Sequence, residues 1–89
     1  MINDTLMKLT YETVVFKSYE DGYYTFELKD GINMLFEEVH PQILMRLDLK
    51  NDKSLISKVF HLAYSENLVN DADDFIIYRI EYLELINSN

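Results

Sequence analysis

Three carboxylates within four residues, in the run Asn70-Asp71-Ala72-Asp73-Asp74, are the densest set of potential ligands in the chain. Clustered carboxylates suit hard divalent cations, and a helix-flanked calcium loop needs them at alternate positions, with glycine sixth and glutamate twelfth. Counted from Asp71, the sixth residue is Ile76 and the twelfth is Tyr82, so that loop is excluded and no metal site is assigned. Three readings remain for the run. It is a solvated turn whose charges keep the apolar strand after it from pairing with other chains, an acidic patch that meets a basic protein, or a set of carboxylates, Asp71, Asp73 and Asp74, that holds a cation weakly with a neighbouring loop.

The other reactive groups are sparse. His40 and His61 are the two histidines and there is no cysteine, whereas a structural zinc site takes four thiolate or imidazole ligands. Glu37 or Glu38 could join them, but nothing near either histidine has ligand spacing, and both read as surface residues. Ser18, Ser54, Ser57, Ser65 and Ser88 lie in no G-x-S-x-G turn, and two glycines cannot supply a phosphate-binding loop. Glu37 and Glu38 are adjacent, so on a strand they face opposite sides and cannot cooperate as acid and base. No catalytic or cofactor-binding residue is assigned, no cofactor is expected, and the chain is expected not to be an enzyme.

A chain of 89 residues makes one domain, 1–89. Hydrophobic residues at 48% supply a core, and two glycines with one proline leave no linker or low-complexity tract. The start, Met1-Ile2-Asn3-Asp4-Thr5, carries an acid where a signal peptide needs basic residues, and no apolar run reaches membrane-spanning length. A cytoplasmic protein without membrane contact is expected. The net charge of −8 opposes the phosphate neutralisation that drives nucleic-acid binding, so no nucleic-acid partner is expected.

Asp21-Gly22 and Asp30-Gly31 bracket Tyr23 to Lys29, and Asp-Gly between apolar alternations is a strong hairpin signal. Three strands should therefore meander. The first runs from about Met7 to Tyr19, with a bulge expected near Thr13 because Leu9 and Tyr11 are apolar on one parity and Val14 and Phe16 on the other. The second puts Tyr24, Phe26 and Leu28 on one face, and the third alternates Ile32, Met34 and Phe36 with Asn33, Leu35 and Glu37. A short helix starts at Pro41, which suits the first helical position, and turns Ile43, Leu44 and Leu47 to one side. Residues 54–64 fit either a strand or a helix capped by Ser54, and the strand is preferred. Phe75 to Ile86 is a last strand, with a second bulge near Glu81 and Tyr82.

The resulting order, β-β-β-α-β-β, resembles the OB fold, a five-stranded antiparallel Greek-key barrel with one helix between strands three and four. The resemblance covers roughly Met7 to Ile86 and implies a mainly β domain. The alternative is an α+β domain, an antiparallel sheet with two helices. The resemblance also implies binding of single-stranded nucleic acid or oligosaccharide on strands two and three, where aromatic residues stack on bases. Here the outward residues are Tyr23, Thr25, Glu27 and Lys29, then Asn33, Leu35 and Glu37, a poor stacking platform.

The reading that remains is a small non-catalytic domain that binds another protein or itself. The alternatives are a binder of single-stranded nucleic acid or a small ligand, and an acidic inhibitor of a nucleic-acid-binding protein. Seven tyrosines suit positions half in the core and half in water, and some of them could serve a protein-binding surface. The surface expected from the last strand is Phe75 and Ile77, apolar on the parity opposite Ile76, Tyr78 and Ile80, with Asp73 and Asp74 at its rim and a homodimer as its product.

Overall fold

The two Asp-Gly pairs organise the first half of the sheet as their backbone preferences require. In a computed structural model that describes residues 8–68 and 76–86, β1 (Thr10–Glu20) and β2 (Tyr23–Glu27) are joined by Asp21-Gly22, both at positive φ. That two-residue turn matches the right-handed twist of its strands. Gly31, also at positive φ, closes the loop from β2 to β3 (Asn33–Phe36), where its amide donates to the Leu28 carbonyl and the Asp30 carboxylate accepts from the Ile32 amide at 3.0 Å.

β4 (Glu38–Val39) leads into α1 (Pro41–Arg46), and a single 3-10 turn (Lys53–Leu55) precedes β5 (Val59–Leu68) and β6 (Ile76–Leu85). The strands form one mainly β sheet in the order β3-β2-β1-β5-β6-β4. Residues 54–64 thus divide. Asp52 caps the 3-10 turn by accepting from the Ser54 amide and hydroxyl, and strand begins at Val59. The two-helix α+β alternative is set aside.

The expected count of five antiparallel strands is corrected to six among the described residues, one pair of which, β4 with β6, is parallel. The sheet is also not a closed barrel, since β3 and β4 stand at opposite ends of the strand order. Burial gives the reason. Phe36 and Val39 both point into the core although they are three residues apart, which alternation in one continuous strand cannot achieve. The chain therefore bends at Glu37, leaves β2, and continues beside β6, pairing Glu38 with Arg79 and Val39 with Ile80.

The bulge expected near Thr13 lies instead at Lys17, where the register slips between Phe16 opposite Phe26 and Ser18 opposite Thr25. Tyr11 is 70% exposed, so its apolar ring marked the outer face rather than a change of phase. The bulge expected near Glu81 is present: Tyr64 pairs with Ile80 and Ala63 with Tyr82, leaving Glu81 as the extra residue.

The core is aromatic. Phe26 is wholly buried, with ring centroids 5.1 Å from Phe16, 5.9 Å from Phe36 and 6.2 Å from Phe60. Tyr64 and Tyr78 extend it by edge contacts with Phe36. α1 closes one end through Ile43, Leu44 and Leu47, as expected, and His40 caps it, its Nδ1 accepting from the Gln42 amide at 3.1 Å. Among the described residues, no helix is long and apolar enough to cross a membrane.

Candidate functional site

The outer face of β2, β1, β5 and β6 carries side chains that sequence alternation alone would make polar. Core parity sends Val14, Phe16, Phe60, Leu62 and Leu83 inward, so their neighbours face outward. Strand pairing then arranges those neighbours in rows. Val15 lies beside Val59; Thr13 lies beside His61, which lies beside Glu84; Tyr11 lies beside Ala63, which lies beside Tyr82. Lys29, in the turn after β2, lines one groove with Thr13 and His61 and so stands at the β2 end of the Thr13 row.

These rows enclose an open groove of about 420 Å³, lined by Tyr11, Thr13, Lys29, His61 and Tyr82 together with the Glu12–Leu62 row beneath. Its two tyrosines are substantially exposed, Tyr11 at 70% and Tyr82 at 44%, while Ala63 between them is completely buried. The Tyr82 hydroxyl donates to a Glu84 carboxylate oxygen, and that bond is the main reason the phenol is held above its ordinary pKa. Arg46 of α1 acts on the same phenol in the opposite sense, and its guanidinium donates to the Leu83 carbonyl at 3.2 Å.

Charge on this face is nearly balanced. Among the described residues Lys17, Lys29 and Arg79 stand against Glu20, Glu27, Glu81 and Glu84, which leaves the face one charge from neutral on a chain of net charge −8. Two pairs are already made within the face: Lys17 Nζ lies 3.4 Å from Glu27, and Arg79 Nε lies 3.4 Å from Glu81. Lys29 and Glu84 remain at opposite ends of the Thr13–His61 row. Behind the Arg79–Glu81 pair, Ser65 is only 2% exposed; its hydroxyl donates to Glu81 at 2.7 Å and accepts from Asn67 at 3.2 Å. This bonded set holds the Glu81 bulge in place and so fixes where Tyr82 emerges.

A second tyrosine cluster is structural. Tyr19 and Tyr24 lie 4.6 Å apart, with Lys50 Nζ 5.4 Å from the Tyr19 ring, and burial raises the Tyr24 pKa.

The surface expected at the last strand is described in part. Phe75, Asp73 and Asp74 lie outside the described residues, as does Asp71; Ile77 is half-buried opposite Asn67. Tyr78 and Ile80 do face the core, as their parity required. His40 serves as the helix cap, and His61 lines the groove. Among the described residues no three histidine or acidic side chains converge as a metal site would need.

The Tyr11, Ala63 and Tyr82 row is what sequence reasoning missed. Its signal was present in the doublets Val14-Val15, Val59-Phe60 and Leu62-Ala63, each apolar on both parities and hence on both faces of the sheet.

The fold and this face define a small β domain with an open, aromatic and nearly neutral outer surface. Compared with family models, curated proteins and solved structures, the chain has no match.

Proposed function

We propose that the chain is a small non-catalytic binding domain that works by contact with protein through the outer face of β2, β1, β5 and β6. The observation that carries this reading is the nearly neutral, tyrosine-bearing groove on an otherwise acidic chain. Depletion of net charge together with exposed tyrosine is the composition of protein interfaces. An outward sheet face selected for solvation alone would be polar. The same face is a poor site for nucleic acid, because its three cations are outnumbered by four carboxylates and offer phosphate no net attraction.

The finer fold reading goes with this proposal. β1 pairs with both β2 and β5, β5 with β6, and the β3–β4 stretch with β2 at one end and β6 at the other. That connectivity supports an OB-like arrangement in which β3 and β4 act as one bent strand.

The test is differential co-purification from cells. Tagged wild type is compared with Tyr11→Ser/Tyr82→Ser and with Met45→Ser, whose 84% exposed side chain lies on α1, away from the groove. A protein, or a second untagged copy of the chain, should be retained by wild type and by Met45→Ser and lost from the double variant. Equal retention by all three would overturn the assignment of this face.

A further inference from the structure

Resting on that reading of the face, we infer that its partner is a second copy of this chain, docked face to face about a two-fold axis parallel to the strands. Charge selects the partner. A chain of net charge −8 repels its own copy wherever the contact shares that charge. This face, with three cations against four carboxylates, comes near to neutrality, so it repels its own copy little and draws a strongly basic partner little.

Position selects the axis. Within the Thr13–His61 row, Lys29 stands at the β2 end and Glu84 at the β6 end. A two-fold rotation about an axis along the strands reverses left and right while keeping each row opposite itself. Lys29 of each copy is then set over Glu84 of the other, twice, as an isologous contact demands. The same rotation, its axis midway between β1 and β5, sets Tyr11 of each copy over the buried Ala63 of the other, so each exposed ring seats on the low point of the facing row. A two-fold axis across the strands would place Lys29 against Lys29 and Glu84 against Glu84, and is disfavoured. Lys17–Glu27 and Arg79–Glu81 are paired within each copy and bring no unmatched charge to the contact. The Tyr82–Glu84 hydrogen bond holds the carboxylate in place while leaving its other oxygen to accept from a lysine.

The experiment is a charge-swap pair read by light scattering after size exclusion at tens of micromolar. Wild type should elute with the mass of a dimer. Lys29→Glu and Glu84→Lys, each alone, turn two attractive contacts into two repulsive ones, and each should weaken dimerisation by about tenfold or more. Mixed in equal amounts, the two variants should recover the dimer as a heterodimer, because one chain then carries Glu at both positions and the other Lys at both. Both sites are exposed, so the swaps leave folding intact; Tyr11→Ser offers a second, uncharged disruption of the same contact. A wild-type monomer, or single variants that dimerise as well as wild type, would overturn the proposal. Single variants that are monomeric yet not rescued by mixing would overturn the axis. If wild type is monomeric but co-purification still depends on Tyr11 and Tyr82, the protein-binding face stands and its partner is another protein.

Discussion

Phe26 is where the core can be probed most sharply. Its ring is wholly buried and lies against Phe16, Phe36 and Phe60, which come from β1, β3 and β5, so truncation opens a cavity that three strands border. Removing a buried phenylalanine side chain costs about 3 to 5 kcal/mol, the sum of lost transfer energy and the residual cavity. A domain of this length has a total stability of about 4 to 13 kcal/mol. Phe26→Ala should therefore lower the melting temperature by about 12 to 40 °C, at roughly 4 to 8 °C per kcal/mol, or leave the chain unfolded at room temperature. Met45→Ala, on an exposed side chain of α1 outside the proposed contact, should change stability by no more than about 0.5 kcal/mol. Circular dichroism during heating and during urea titration measures both. A loss below about 1 kcal/mol for Phe26→Ala would refute the aromatic core as the source of stability.

Ser65→Ala removes the hydroxyl donor to Glu81, whose side chain is only 13% exposed, and should cost about 1 to 3 kcal/mol in urea unfolding. A cost near zero would show that the bulge does not depend on this bond. His40→Ala deletes the imidazole acceptor at the first turn of α1 and should cost about 0.5 to 1 kcal/mol by the same assay, with no effect expected from Gln42→Ala beyond helix propensity. Burial raises the pKa of Tyr24 and Tyr64 above the ordinary tyrosine value. The folded state then holds their protons more tightly than the unfolded chain, so stability is level below the ordinary value and falls as pH rises from it through the folded values. Phenolate absorbance should show Tyr24→Phe and Tyr64→Phe each removing a late-titrating group. If neither variant alters the late phase, the burial assigned to these rings is wrong.

Much of the architecture was legible because backbone chemistry is local. Asp21-Gly22 and Asp30-Gly31 dictate positive φ and hence two hairpins; Pro41 opens α1; and the parity of Ile80 and Leu83 requires a bulge at Glu81. The bend at Glu37 was not read. The signal was there, in Phe36 and Val39 at an odd spacing, but it is the remote edge of β6 that makes leaving β2 favourable. The bulge in β1 was misplaced because an exposed tyrosine was counted as core. The groove was hidden for a related reason. Tyr11, Ala63 and Tyr82 belong to three strands, and only their register, slipped by the Glu81 bulge, sets them side by side.

Photo-crosslinking from within the groove tests the protein-contact claim most directly. Benzoylphenylalanine placed at Tyr82, and separately at Met45, is activated in cells and the adducts are read by mass. The account expects a discrete adduct from position 82, of twice the chain mass if the partner is a second copy, and none from position 45. Equal or absent labelling at both positions would contradict it.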